Sequence, residues 1–158
     1  MVSGTGGRVS AAAQEAPRLG LPARAFVAIV RRSSDRRLER LFGSDRALAS
    51  IFARTATRFD PDGADGFTGD LRFDLRRSSG AISSWTITAA HGRATSSRGG
   101  ADGAALTATL SVADALRILA RELDVGRAIL EGRLDLAGDF GVAMQLGKIF
   151  GGSGKRAR

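Results

Sequence analysis

The stretch ILEGRLDLAGDFGVAMQLGKIF, Ile129 to Phe150, decides the fold. It opens on a helical turn that Asp124 caps and Gly132 stops. Arg133 to Ala137 then reads as a short strand, and Asp139 caps a final helix that Gly151 ends. In the eleven residues from Phe140 to Phe150, Gln145 and Lys148 are the only polar members besides glycine. A helix so apolar on every side is either buried in a core or covers something apolar. Which of the two applies depends on what the rest of the chain provides.

Ahead of this stretch the chain supplies strands and helices with one apolar face each. FTGDLRFDLRR alternates strictly: Phe67, Leu71, Phe73 and Leu75 face one way, and Thr68, Asp70, Arg72, Asp74 and Arg76 the other. With Arg72 between them, Asp70 and Asp74 belong to a solvated charge ladder rather than to a pair of catalytic acids. A second strand, Ala81 to Ala89, carries Trp85 and Ile87 on its apolar side; a weak third covers Arg93 to Ser97, and AALTATL makes a fourth. Joined by short turns, these four predict an antiparallel meander, and His91 is a residue of one of its turns. Ser44 and Ser111 cap helices with apolar stripes, Leu48, Ile51, Phe52, Thr55 and Phe59 on the first and Val112, Ala115, Leu116, Leu119 and Leu123 on the second. The fold class that buries all these faces is α+β: a five-stranded, mainly antiparallel sheet with helices packed on one face.

Length and charge bound the rest. A chain of 158 residues is one domain's worth, able to bury roughly 70% of the surface exposed by its unfolded state without a staple. There is no cysteine, which removes disulfides and thiolate chemistry. The net charge is +8, yet residues 41–154 hold thirteen basic and thirteen acidic residues, so the excess sits at the two ends. Arginine supplies 22 of the 24 basic residues, a bias that a GC-rich genome also produces. Residues 1–21 read as a disordered tail, 22–43 as a basic helical segment, 44–150 as the folded domain and 151–158 as a flexible basic tail. With no apolar run long enough to span a membrane and no secretory signal, the expected setting is cytoplasmic.

No nucleophile beside a base, no metal-ligand spacing and no cofactor fingerprint survives inspection. The glycines near the N-terminus follow no strand, and GSGK near the C-terminus has no Ser or Thr after its lysine and no helix behind it. No cofactor and no metal are therefore expected, and a protein that acts without chemistry of its own acts by holding something.

FTGDLRFDL, the single Trp85, AALTATLSVADALRILARELD and above all ILEGRLDLAGDFGVAMQLGKIF resemble the sterol carrier protein type two domain. The resemblance covers Ser44 to Phe150 and has its most specific features in the last third, a glycine-basic-hydrophobic step, then glycine-aspartate, then an apolar helix. It implies a sheet and helices enclosing an apolar cavity that takes acyl chains, acyl-CoA, phospholipid, sterol or isoprenoid without changing them. It also implies that the C-terminal helix closes over that cavity. The residues expected to touch lipid are Phe73 and Trp85 from the first two strands, Leu106 from the fourth, and Leu116 and Leu119 from the helix after it. Ile129, Leu136, Phe140, Met144 and Phe150 complete the set. Gly141 and Gly147 suit a segment that opens, and equally suit close packing in a core. Asp139 serves as a helix cap, or holds a head group.

The expected partner is a lipid, with peripheral contact to anionic membrane through the basic segment at 22–43. The alternatives are an interaction module docking through the apolar C-terminal helix, an accessory factor presenting isoprenoid quinone precursors, and nucleic-acid binding by the arginine-rich ends. The last is disfavoured because the domain itself is neutral.

Overall fold

Helix starts fall where the sequence places a cap. The computed structural model describes residues 22–150, so the tails expected at 1–21 and 151–158 lie outside the described residues. Three helices precede the sheet, α1 (Ala23–Arg32), α2 (Asp35–Phe42) and α3 (Asp45–Thr57). Then come β1 (Gly69–Arg76), β2 (Ile82–Ala90), β3 (Arg93–Arg98), β4 (Leu106–Ser111), α4 (Val112–Leu119), α5 (Val125–Leu130) and β5 (Leu134–Gly138). Two short helices, α6 (Phe140–Met144) and α7 (Leu146–Ile149), end the described chain. Ser34, Ser44, Ser111 and Asp124 each accept the backbone N–H three residues on, at 3.3, 3.1, 3.0 and 3.0 Å. Each such cap satisfies one of the amides that a helix start leaves without an intrahelical partner.

The sheet has five strands in the order β3-β2-β1-β4-β5, mixed but mostly antiparallel. The simple meander expected from the turns ends at β3. Strand β4 crosses to the other side of β1 and pairs with it in parallel, Phe73 opposite Ala108 and Leu75 opposite Leu110. The loop at 99–105 makes this crossing over the outer face, where the Thr86 hydroxyl donates to the Gly99 carbonyl at 2.7 Å and accepts the Ala101 amide at 3.0 Å. Packing explains the choice of partner. Beside β1, β4 sets Leu106, Ala108 and Leu110 next to Leu71, Phe73 and Leu75, whereas the inward residues of β3 are Ala94, Ser96 and Arg98.

One face of the sheet carries the helices and the other is wet. On the wet face the charge ladder is cross-linked by hydroxyls: Asp74 accepts from Arg72 at 2.9 Å and from Ser84 at 2.7 Å, and Asp70 accepts from Thr88 at 2.6 Å. Burial pushes the Asp74 carboxyl up, but the Arg72 and Ser84 hydrogen bonds and the Arg72 charge outweigh it, so its pKa lies below the ordinary 3.8.

Helices α1 and α2 are not an appendage. Val30, Leu38 and Phe42 are buried in the same cluster as Val112, Ala113 and Leu116 of α4, and Phe26 meets Phe42 edge-on with ring centroids 5.3 Å apart. Each such side chain contributes about 1.5–3 kcal/mol of burial. Polar contacts fix the orientation. Asp114, the one buried charged side chain among the described residues, accepts from Arg133 at 2.6 Å and from Arg117 at 3.3 Å. Arg117 reaches on to Asp35 of α2 at 2.7 Å, and Arg31 of α1 pairs with Glu122 at 3.0 Å. One carboxylate thereby joins α2, α4 and the start of β5.

Removing a partner from a buried charge network strands the rest, so Asp114→Ala should lower unfolding stability by about 2 kcal/mol or more in urea titrations. A loss below about 0.5 kcal/mol, the scale of an ordinary surface substitution, would show that the network orders nothing. Asp74 makes a separate test. A carboxyl with a depressed folded pKa stabilises above its unfolded pKa, and that contribution is lost as pH falls through the folded value. Asp74→Asn should therefore destabilise at neutral pH, and the difference from the parent should close in acid.

Candidate functional site

The helix-covered face of the sheet holds two buried clusters rather than one. The larger gathers Leu75, Trp85, Ile87, Leu110 and Leu134 under α1 to α4, and the smaller gathers Ala64, Leu71, Leu106, Ala143 and Ile149. Strand β1 serves both, with Phe73 between Leu75 and Leu71. Phe73, Leu136 and Phe150 pack against both clusters, and all three are only half-buried. Phe73 and Leu136 both flank Ala108 in the sheet, Phe73 through the parallel pairing and Leu136 through the antiparallel one. A half-buried apolar seam between two fully buried clusters is unusual in an interior that packs close to crystal density.

The last segment reaches this seam by a path the sequence specifies. Gly138 has φ +119, and a Cβ there would strike the Ala105 carbonyl oxygen. Only glycine lets β5 leave the sheet this close to its neighbour, and the Asp139 amide then donates to the same carbonyl at 2.7 Å. The Asp139 side chain caps α6, accepting from Gly141 at 2.8 Å and Val142 at 3.2 Å. The single helix expected from Asp139 onwards is broken: the chain turns tightly at Gln145, whose amide reaches back to Val142 and whose carbonyl starts α7. The turn at Asp60–Gly66 then clasps α7. The Asp60 amide donates to the Ile149 carbonyl at 2.7 Å, and a Cβ on Gly63 would strike the Lys148 carbonyl.

This break sorts the apolar residues of the segment. Ala143 and Ile149 are buried, and Val142, Leu146 and Phe150 half-buried, while Phe140 and Met144 are each 74% exposed. The segment is therefore core on one side and apolar surface on the other.

Of the ten residues expected to touch lipid, three meet at the seam: Phe73, Leu136 and Phe150. Trp85, Leu106 and Leu116 are fully buried behind it, and Leu119 is half-buried on α4. Trp85 stacks on Phe52 with centroids 5.3 Å apart and planes 7° from parallel, and Phe52 touches Phe73 at 5.4 Å. Its indole N–H is satisfied by Ser83 at 3.1 Å. Ile129, Phe140 and Met144 are not brought to the seam. They lie exposed on the outer sides of α5 and α6, because helices of six and five residues in contact with the sheet expose their opposite sides.

Sequence reasoning missed Arg58. It follows α3 directly, between Ala56 of the larger cluster and Phe59, which packs on the smaller. Burial, then the charges of Arg54 and Arg121, hold its pKa below the usual arginine value. No ion pair of Arg54 or Arg58 is formed among the described residues. Arg58 is nonetheless exposed, so solvent screens these charges and an anion beside it gains modestly. Its only sequence signal was a basic residue at a helix end, which helix-dipole stabilisation already accounts for.

The remaining chemistry is sparse. Among the described residues no group of three or more His, Cys, Asp or Glu is placed to hold a metal, and no buried side-chain nitrogen or oxygen lacks a hydrogen-bond partner. No helix among them is long and apolar enough to cross a membrane. His91 is exposed in the β2–β3 turn.

No curated protein matches the chain. Among solved structures, the inverting sec-alkylsulfatase Pisa1 of Pseudomonas sp. is 28% identical with a TM-score of 0.55, over 66% of this chain and 16% of the enzyme. A double mutant of the same sulfatase is 29% identical over 65% of this chain, so the chain spans only about a sixth of those enzymes' length. The palmitated SCP2L2 of Aedes aegypti is 25% identical with a TM-score of 0.53, over 64% of this chain and 91% of that one. The model of the SCP-2 sterol transfer family matches residues 50–151, well over half of the chain. The protein belongs to that family, in which the general activity is binding or transfer of lipid.

Proposed function

We propose that the protein holds one amphiphile at a time, with its acyl or isoprenoid chain along the Phe73–Leu136–Phe150 seam and an anionic head beside Arg58. It passes this cargo between membranes, or to an enzyme, without changing it. The observation that carries the reading is the half-buried seam between two buried clusters on one sheet face. The relative solved as a palmitated protein supports the same class of cargo. Helices α6 and α7 close the seam from above through Val142, Leu146 and Phe150, and the clasp at Asp60 and Gly63 is what opening must release.

Affinity follows from burial alone. About ten methylenes at roughly 0.8 kcal/mol each give a gross gain on the order of 8 kcal/mol, and association and ordering costs reduce this to micromolar binding. Chain selectivity is then loose, and the head group is read only as a charge.

The basic segment adds a membrane contact of limited kind. Val30, Leu38 and Phe42 commit its apolar side to the core, while Arg24, Arg32, Arg36, Arg37 and Arg40 face outward. Such a surface, on which Leu41 is the exposed large apolar side chain, attracts anionic lipid chiefly by charge. A cytoplasmic setting suits a chain without cysteine.

Trp85 is the only tryptophan and sits one ring away from Phe73, so titration with palmitate should change its emission. Leu136→Trp fills the half-buried seam and should weaken palmitate by about tenfold or more with thermal unfolding retained. Palmitate that leaves both Trp85 emission and the native mass unchanged would sink the lipid reading in favour of an interaction module. Arg58→Glu should weaken ionised palmitate by roughly tenfold while sparing hexadecanol, which carries no charge. Equal loss for both would remove Arg58 from the site.

A further inference from the structure

The two edges of the sheet are unlike. At one edge β3 carries Arg93 and Arg98 at its ends, the kind of charge that keeps an edge single. At the other, the only charged side chain of β5 is Asp135, on the wet face and 3.9 Å from Arg76. The Asp139 amide donates to the Ala105 carbonyl one step beyond the Gly138–Leu106 pair, so the odd-numbered residues of β5 turn their backbone N–H and C=O groups toward β4. Leu134, Leu136 and Gly138 turn theirs outward, and among the described residues nothing bonds to them. Exposed apolar side chains flank this open edge at both ends. Ile129 and Leu130, 43% and 89% exposed, come just before β5, and Phe140 and Met144, 74% each, just after it.

We infer that β5 pairs with β5 of a second copy of this chain, antiparallel about a two-fold axis at Leu136, to make one continuous sheet across the two. The inference stands apart from the lipid-handling reading.

Self-complementarity argues for a second copy. Centring on Leu136 is the register that uses all three outward residues of each strand, Leu136 facing Leu136 and Leu134 facing Gly138. In this register Asp135 faces Ala137 rather than another acid, and Arg133 and Asp139, just outside the strand ends, face each other with opposite charge. The antiparallel arrangement also brings the Ile129–Leu130 flank of each copy against the Phe140–Met144 flank of the other. Such a five-residue edge and four large apolar side chains approach the roughly 800 Å² per partner of a standard interface. A bilayer would cover the apolar flanks but leave the backbone groups of the edge without partners. Because the same patch is used on both copies, the contact closes as a dimer and does not propagate.

The test is sedimentation velocity of the full chain over a range of concentrations, which should show a monomer–dimer equilibrium with a Kd on the order of micromolar. Leu130→Ser and Phe140→Ser, at positions exposed in the monomer, should each weaken the dimer by about tenfold or more. Ala137→Asp sets an acid opposite Asp135 twice and should weaken it by about tenfold, whereas Ala137→Lys should keep or tighten it. A chain that stays monomeric at every concentration would overturn the proposal. So would equal effects of Ala137→Asp and Ala137→Lys, which would place the contact elsewhere. Binding to phosphatidylcholine vesicles that Leu130→Ser and Phe140→Ser abolish, in a chain that stays monomeric, would also overturn it, by making a bilayer the occupant.

Discussion

Strand β1 is the element on which the rest depends, because it is flanked on both edges by strands whose inward residues are apolar. Its antiparallel neighbour gives Trp85 and Ile87, and its parallel neighbour gives Leu106, Ala108 and Leu110. Parallel pairing requires a crossover, and here the connection from β1 to β4 runs through β2, β3 and the loop at 99–105, which Thr86 pins to the outer face. That arrangement sets Phe73 at the centre of the helix-covered face, and everything proposed for the site is measured from it.

The buried carboxylate of Asp114 solves a different problem. The family model begins at residue 50, so α1, α2 and the first turn of α3 lie ahead of the matched region. Apolar burial of Val30, Leu38 and Phe42 gives the attachment its strength but no particular register, since apolar contact is non-directional. The arginine–carboxylate contacts from Arg117 to Asp35 and Asp114, and from Arg133 to Asp114, supply direction. An ordinary hydrophobic contact would have served stability as well, at the cost of a defined angle between the added helices and the sheet.

Much of this was legible in the sequence wherever a local rule decides. Alternation in FTGDLRFDL, the serine and aspartate caps, and the glycine-aspartate step before the last segment each fix geometry within a few residues. The parallel pairing of β4 was not legible, because short turns suit a meander equally well and the preference lies in inward faces of strands far apart in the chain. The break at Gln145 was hidden for a similar reason: apolar periodicity over eleven residues does not show the clasp that Asp60 and Gly63 place on α7. Phe73, Leu136 and Phe150 were found by resemblance and meet at the seam. Phe140 and Met144 came from the same resemblance, through a closing C-terminal helix, and a single unbroken helix does not show which side the break at Gln145 turns outward.

The last segment thus resolves into two unlike surfaces. Its inner side is bound to the sheet by Ala143 and Ile149, and its outer side offers Phe140 and Met144 to whatever is apolar outside. A cover that is only core would gain nothing from an apolar outer side, and solvent exposure of two large side chains invites non-specific association. Whether α7 yields at Gln145 or at the Asp60 clasp is then a matter of which holds less strongly. The clasp is one backbone hydrogen bond and one glycine contact, and at the turn the Gln145 amide reaches the Val142 carbonyl three residues back. Both joints are weak by the standard of the sheet beneath them, which places any motion in the cover rather than in the strands.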